Sequence, residues 1–223
     1  MHHQKSKKIL IYFFILFLVG SINNIKLNTN DLIKIKNIKV NGLDDRENEI
    51  LSKEIKGLNL KNIFFMNKFE IIKILNKNSL IENYKIFKNY PSSLYIDVVK
   101  TKLLAKININ GKILIIGSNG KLSDIKSTNL ELPFIFGNPK IEDFLKLKKI
   151  IDTSKISYRD IKNLYYFKSK RWDIKLKNNT LLKLPKHNIK ATIDNAFEFI
   201  SNENFQDSKI IDARILNQII IND

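Results

Sequence analysis

The segment "YPSSLYIDVVK", residues 90–100, constrains the fold of this chain more than any other stretch. Its apolar and polar residues alternate from Leu94 onward, which is typical of a half-buried strand. A Tyr-Pro-Ser-Ser turn precedes it, and residues 80–89 before the turn also have strand character. The two runs therefore predict a pair of adjacent strands joined across residues 90–93.

Upstream of this pair, the pattern predicts one strand and two helices. Residues 33–43 alternate as a strand and end at Asn41-Gly42, a turn signal. Residues 44–57 and 67–78 have helical spacing. The apolar residues expected on the buried faces are Ile50, Leu51 and Ile55 in the first helix and Phe69, Ile72 and Leu75 in the second. The order is β-α-α-β-β, in about 70 residues.

Beyond Ala105 the sequence changes to short strands and tight turns. Asn110-Gly111 and Asn119-Gly120 are favoured hairpin dipeptides, and residues 177–179 form a third hairpin signal. Residues 141–153 and 188–202 are predicted as helices, and the last residues, from 209 onward, as a closing strand. The chain is therefore expected to be α+β.

The N-terminus carries a short basic leader followed by an uncharged run, residues 9–25. A run of about 17 to 25 such residues is long enough to span a bilayer as a helix. Val19-Gly20-Ser21 also resembles a signal-peptide cleavage site, so a cleaved signal remains an alternative. We predict an uncleaved anchor, with residues 1–8 in the cytoplasm, 9–25 in the membrane, 26–34 as a linker and the rest exported.

The formal net charge of +17 raises the question of nucleic-acid binding. Only four of the 39 basic residues are arginine, the residue that recognises bases and phosphates bidentately. The lysines are spread evenly and are not interleaved with aromatic residues. We therefore predict no nucleic-acid partner.

The sequence offers no catalytic or metal-binding constellation. It has no cysteine, and His187 is the one histidine outside the N-terminal tail. A single histidine builds neither the usual zinc site nor a supported Ser-His-Asp triad. The glycines punctuate turns and form no phosphate-binding loop. We predict no catalytic residue, no metal and no cofactor, and hence no enzyme.

Five short motifs, in this order and spacing, resemble the FtsQ/DivIB family of cell-division proteins. They are "IKVNGL" (38–43), "YPSSLYIDVVKTKLLAKI" (90–107), "LPFIFG" (132–137), "RWDIKLKNNTLLKL" (171–184) and "IIDAR" (210–214). The resemblance implies a single transmembrane helix, a POTRA domain over residues 35–103 and a C-terminal mixed β-rich domain with flanking helices over residues 104–223.

The resemblance also implies a function. The chain would be a single-pass scaffold of the bacterial division machinery, in the inner (cytoplasmic) membrane with periplasmic C-terminal domains. It would bind FtsB- and FtsL-like partners and so control septal peptidoglycan synthesis. One alternative is a POTRA-bearing component of outer-membrane protein assembly or secretion, and another is an exported enzyme such as a cell-wall hydrolase. The sequence has no C-terminal barrel strands, which argues against the first alternative.

The partner is expected to bind at the C-terminal strand, which ends in three isoleucines that nothing follows to cover. An exposed edge strand can recruit another chain through its main-chain groups. The predicted partner-binding residues are Lys170, Arg171, Arg214, Ile215, Asn217, Ile219, Ile220 and Ile221. Two alternatives stay open: the isoleucines could complete the core between two strands of this chain, and Arg214 could form an ordinary surface ion pair.

Overall fold

The computed structural model describes residues 3–22, 34–58, 60, 62–124, 131–201, 209–215 and 218–222. The chain forms two compact units. The first comprises Met1–Leu75 and Tyr84–Val98, and the second comprises Asn76–Asn83 and Val99–Asp223. The domain boundaries drawn from the sequence, 35–103 and 104–223, stay predictions.

The predicted transmembrane helix over residues 9–25 is wrong. Helix α1 spans His3–Ile22, and no helix in the described part of the chain is long and apolar enough to cross a membrane. Lys5, Lys7 and Lys8 lie in its first two turns, so its uncharged part covers residues 9–22. Residues 23–25 of the predicted span lie outside the described residues.

The next elements follow the predicted β-α-α-β-β order. They are β1 (Asn37–Asn41), α2 (Asp45–Lys56), α3 (Phe69–Lys77), β2 (Ile81–Asn89) and β3 (Ser93–Lys100). The three strands form one sheet in the order β1-β3-β2, with β1 parallel to β3. The strand that begins after the Tyr-Pro turn is therefore the central strand of this sheet, and its Leu94 and Ile96 are fully buried.

The buried residues of α2 and α3 agree with the sequence prediction at some positions and differ from it at others. In α2, Leu51 and Ile55 are buried as predicted, whereas Ile50 is exposed. Helix α2 is attached to β1 by a hydrogen bond from Ser52 Oγ to the Ile38 carbonyl (2.8 Å). In α3 the buried pair is Ile71 and Leu75, at i and i+4.

The predicted burial of Phe69 is wrong, because α3 starts at this residue. Its backbone N–H donates to Asn67 Oδ1 (2.9 Å), which caps the helix, and its ring is 67% exposed. Ile72, also expected on the buried face, is partly buried.

From residue 101 onward, the described residues form a nine-stranded sheet and two α-helices. The strands are β4 (Leu103–Ile109), β5 (Lys112–Gly117), β6 (Leu122–Ser123), β7 (Phe134–Phe136), β8 (Ile161–Tyr166), β9 (Trp172–Leu176), β10 (Leu181–Lys183), β11 (Ile210–Asp212) and β12 (Ile220–Asn222). The helices are α4 (Ile141–Asp152) and α5 (Ile189–Ile200), and a short 3-10 helix spans Tyr158–Asp160. The sheet order is β12-β11-β10-β9-β8-β7-β4-β5-β6.

One hydrophobic core connects this sheet to its helices. Helix α4 contributes Phe144, Leu147 and Ile151, and helix α5 contributes Ile193 and Ala196. Alternate residues of the strands complete the core, which gives the sheet a covered face and an opposite face. On the covered face lie Ala105, Ile107, Ile135, Leu164, Ile174, Leu182 and Ile211.

The predicted single closing strand is wrong, because the chain folds back after residue 212. β11 and β12 are separate short strands that pair antiparallel. The backbone N–H of Arg214 donates to Asp212 Oδ1 (3.2 Å), which stabilises the chain where it leaves β11.

Two glycines of the quoted motifs occupy positions that require glycine. Gly42 has φ +109°, and a Cβ there would lie 1.8 Å from the Val98 carbonyl oxygen. Gly137 follows β7 with φ +93°, and its Cβ would lie 2.3 Å from the Tyr166 carbonyl oxygen of β8. Close approach of the backbones, in addition to the positive φ, excludes a side chain at both positions.

We expect Gly137→Ala to destabilise the second unit more than Gly111→Ala does. Gly111 also has a positive φ, +81°, but a Cβ there would meet nothing within 4 Å. Strain alone should cost about 1 kcal/mol at Gly111, and the overlap should raise the cost at Gly137 to about 3 kcal/mol. Urea unfolding, followed by the fluorescence of the buried Trp172, measures the loss of unfolding free energy in each variant. Equal losses would show that the approach to Tyr166 is not tight.

Candidate functional site

The C-terminal strand β12 is the outermost strand of the nine-stranded sheet. It pairs with β11 in the register Asp212↔Ile220, Ile211↔Ile221 and Ile210↔Asn222. No other described strand pairs with β12. An outermost strand presents backbone N–H and C=O groups that are available to another chain.

The direction of these groups follows from the hydrogen bonds of β11. Leu181 N–H donates to the Lys209 carbonyl (2.8 Å), and Ala213 N–H donates to the Lys183 carbonyl (3.0 Å). Backbone groups of successive residues point to alternate sides of a strand, so residues 209, 211 and 213 face β10, and residues 210 and 212 face β12. Ile220 and Asn222, opposite them, therefore bond back to β11. The N–H and C=O of Ile221 point away, to the open edge.

The three terminal isoleucines have different surroundings. Ile219 packs against the hydrophobic core, and Ile221 is partly buried beside it, opposite the buried Ile211 in the strand register. Ile220 points to the opposite face of the sheet and is 41% exposed. Because the Ile221 side chain is partly buried beside the core, it holds the Ile221 backbone at the edge of the sheet.

Arg214 forms an ion pair within the chain. Its Nε donates to Asp212 Oδ1 (2.8 Å) and Oδ2 (3.0 Å), and its Nη2 also contacts Oδ2. The hydrogen bond from Arg214 holds the pKa of Asp212 below its ordinary value. The Arg214 side chain remains 43% exposed, so one side of the guanidinium faces solvent. Arg214 thus forms the surface ion pair that the sequence left open, and its contact with a partner stays a prediction.

Arg171 has a similar arrangement on β9. Its Nε lies 3.3 Å from Oδ1 of Asp173, and its guanidinium lies over the ring of Phe167, 4.4 Å from the ring centroid. Asp173 is only 3% exposed. Burial is the main effect on this carboxyl and raises its pKa above the ordinary value, whereas Arg171 acts in the opposite direction.

The sheet register brings these residues into one row on the face opposite the helices. Asp173 of β9 pairs with Lys183 of β10, Lys183 with Asp212 of β11, and Asp212 with Ile220 of β12. Arg171 lies two residues before Asp173, and Arg214 lies two residues after Asp212. Because β9 runs antiparallel to β10 and β10 runs parallel to β11, both arginines lie at the same end of this row. No sequence signal pointed to Lys183, and Asp173 and Asp212 were recognisable only as carboxylates two residues from an arginine.

Two of the remaining predicted residues flank this row. Lys170 is exposed and has φ +62° in the turn before β9, where its N–H donates to the Phe167 carbonyl. Ile215 is 56% exposed after β11. Asn217 lies outside the described residues.

A cleft of about 610 Å³ lies between helix α5 and the chain that connects β11 to β12. Arg214, Ile215 and Ile219 line one side, and Ala191, Asn195 and Phe199 of α5 line the other. His187 also lines it and is exposed. The cleft therefore combines apolar and polar walls beside the start of β12, and its lining includes the charged residues Arg214 and Glu198.

The described residues contain no cluster of three or more His, Asp or Glu side chains that could hold a metal ion. Among them Asp173 is the one fully buried carboxylate, and its ion-pair partner is an arginine. A hydrolytic pair of carboxylates is therefore not seen at this position.

Comparison with known protein families gives two adjacent matches. Residues 33–100 match "POTRA domain, FtsQ-type", and residues 98–214 match "Cell division protein FtsQ/DivIB, C-terminal". The second match ends at Arg214, so strand β12 lies beyond it. Together the matches favour the division family over a POTRA protein of outer-membrane assembly.

Individual relatives carry the names DivIB and FtsQ. "Cell division protein DivIB" of Staphylococcus aureus is 27% identical over 119 residues, 52% of this chain and 27% of that relative. "Cell division protein DivIB" of Clostridium botulinum is 30% identical over 65% of this chain and 58% of its own length. "Cell division protein FtsQ" of Rickettsia bellii is 24% identical over 89% of this chain and 76% of its own length.

A solved structure of the extracytoplasmic domain of DivIB from Geobacillus stearothermophilus is also similar. It shares 9% identity with this chain, covers 41% of this chain and 84% of its own, and has a TM-score of 0.33. The chain spans about a quarter of the first S. aureus relative and more than half of the C. botulinum relative.

We expect Asp212→Asn to weaken the dependence of stability on pH in the acid range. A carboxyl whose pKa is lowered on folding contributes stability above its unfolded-state pKa and loses it as the pH falls through the folded-state pKa. The wild type should therefore lose, between about pH 5 and pH 2, a contribution of about 0.5–1 kcal/mol that the variant lacks.

Urea unfolding at a series of pH values, followed by Trp172 fluorescence, measures this difference. Arg214→Gln should flatten the same limb, because it removes the donor that lowers the pKa. Identical acid limbs in the wild type and both variants would contradict the assignment of the ion pair.

Proposed function

The chain belongs to the FtsQ/DivIB family of cell-division proteins, and on that premise we propose that it is a binding protein of the bacterial division machinery that catalyses no reaction. Its proposed partners are FtsB- and FtsL-like division proteins, and its proposed role is to hold them in a complex that controls septal peptidoglycan synthesis. The proposed location of its two domains is the periplasmic side of the cytoplasmic membrane at the division site.

The open edge at Ile221 is the observation that carries this proposal. Its backbone N–H and C=O point away from β11, and no described strand pairs with them. A partner segment in extended conformation would satisfy both groups and add a tenth strand to the sheet. Main-chain hydrogen bonds of this kind supply affinity with little dependence on the partner's sequence.

Side chains beside the edge would supply specificity. Ile220 is exposed on one face of β12, and the cleft lined by Ile215 and Ile219 lies on the other side of the chain. A partner strand on β12 would therefore present one set of alternate side chains to Ile220 and the other set towards helix α5. An apolar side chain at the end of that strand fits the walls of the cleft.

The basic residues would contribute mainly to the rate of association. The guanidinium groups of Arg171 and Arg214 already bond to Asp173 and Asp212, so an acidic residue of the partner would share them with these internal carboxylates. Lys170 is exposed in the neighbouring turn. Charges at the rim of an interface steer encounter more than they add affinity, so we expect acidic residues near the partner's binding strand.

We expect Ile221→Pro to weaken binding of the FtsB-like partner at least about tenfold, because it removes the outward N–H donor and leaves a partner carbonyl unpaired. The matched control is Ile221→Ala, which shortens the side chain but keeps the N–H. Binding of purified partner, measured by calorimetry on the full chain, compares the two. Unfolding curves of each variant separate a binding effect from a folding effect.

The strand register predicts different effects for proline at residue 220 and at residue 221. Ile220→Pro removes a donor that faces β11, so it should lower the stability of the second unit as well as partner binding. Full-strength binding by a folded Ile221→Pro protein would exclude strand addition at this edge, although not membership of the division machinery. Loss of binding in Ile221→Ala equal to that in Ile221→Pro would assign the interaction to the side chain.

A further inference from the structure

A second exposed surface lies in the first unit, in the turn between α2 and α3. Phe64 is 53% exposed and Phe65 is 83% exposed. The ring of Phe64 stacks on the ring of Tyr90, which is 54% exposed, with centroids 4.8 Å apart and planes inclined by 29°. We call Phe64, Phe65 and Tyr90 the aromatic tip.

The aromatic tip is held in place by the surrounding chain. Ile63 is fully buried and anchors the turn, and the Phe64 N–H donates to Asn62 Oδ1 (2.8 Å). Lys88 Nζ of β2 donates to the Phe64 carbonyl (3.2 Å), which ties the turn to the strand that leads to Tyr90. These bonds support the turn in a conformation that leaves the Phe65 ring in solvent.

The chain segments that carry the aromatic tip are basic. Residues 62–69 and 84–92 include Lys68, Lys85 and Lys88 and neither aspartate nor glutamate, while Glu70 and Glu82 lie just outside them. Lys68 Nζ donates to the Ile86 carbonyl (3.3 Å), so its ammonium group also lies along β2. The exposed aromatic rings are therefore combined with positive charge, whereas most exposed surface in a soluble domain mixes both signs.

We propose that the aromatic tip is a peripheral membrane contact that inserts Phe65 into the headgroup region of an anionic bilayer. Binding at such an interface grows with the apolar area buried and with the attraction between basic residues and anionic lipids. The three aromatic rings provide the apolar area, and the three lysines provide the attraction to anionic lipids. Lysine stems are long enough to lie on the surface while their ammonium groups meet phosphate.

The shape of the turn favours a bilayer over a protein partner. Phe65 protrudes with most of its ring in solvent, and a fluid lipid surface accepts a protruding ring without a complementary pocket. A protein partner would need a hydrophobic pocket of matching shape and acidic residues placed for each lysine. The aromatic tip includes neither helix α1 nor the edge at Ile221, and its contact with a bilayer is independent of the proposed function.

A fluorescent label at a single site tests the insertion in the full chain. The sequence has no cysteine, so Phe65→Cys labelled with the environment-sensitive dye NBD reports on that position alone. The matched control is Ile50→Cys with the same label. Ile50 is 56% exposed on α2 of the same unit, and no exposed aromatic residue neighbours it in sequence. Each protein is titrated with vesicles of phosphatidylglycerol and, separately, of phosphatidylcholine.

We expect the label at residue 65 to shift to the blue and to brighten several-fold with phosphatidylglycerol vesicles, and the label at residue 50 to stay in a watery environment. The same response should require a lipid concentration on the order of a hundredfold higher with phosphatidylcholine vesicles. Each of the three lysines contributes about fivefold to the affinity for anionic lipid. Raising the salt from about 0.1 M to about 1 M shortens the Debye length from about 10 Å to about 3 Å and should weaken the response.

Four outcomes would overturn the proposal. The label at residue 65 could stay in water with both lipids, or both labels could respond alike, which would show that the tip has no special contact. An equal response to both lipids at all salt concentrations would remove the charge complementarity on which the choice of a bilayer depends. A response at residue 65 to a purified division partner, with none to vesicles, would assign the tip to protein binding.

Discussion

The alternation of backbone direction along β11 is the constraint on which the edge of the second unit depends. Its residues 209, 211 and 213 bond to β10, so residues 210 and 212 bond to β12, and Ile221 is left facing outward. Ile211 and Ile221 are paired in the register, and Ile211 is fully buried in the core, so a slip of one residue would move Ile221 to the opposite face. The core therefore determines which backbone groups the edge presents.

Local charge pairing limits what the strong positive charge can do at this edge. The two arginines of the site bond to carboxylates of the same chain, Asp173 and Asp212, which lie in one row across the sheet. Asp173 is buried at a cost that Arg171 offsets only in part, since its pKa remains raised. The pairs therefore orient the guanidinium groups at this edge and partly neutralise them.

Several elements could be predicted from the sequence because their signals are local. The Tyr-Pro turn, the Asn-Gly hairpins and the helical periodicities of α2, α4 and α5 each depend on neighbouring residues. The exposure of Phe69 is local as well, because the cap at Asn67, two residues earlier, starts α3 there. Other features depend on contacts across the chain. The two strands β11 and β12 were predicted as one, because the sequence between them contains no Pro or Gly. The internal partners of Arg171 and Arg214 require the sheet register.

Amide hydrogen exchange at residues 220 and 221 tests the central claim most directly. In the free protein the Ile220 amide, bonded to β11, should exchange slowly, and the Ile221 amide, pointing to the open edge, should exchange fast. Addition of the FtsB-like partner should slow exchange at Ile221 strongly and change Ile220 little. An Ile221 amide that is already protected in the free protein, or that stays fast in the complex, would contradict strand addition at this edge.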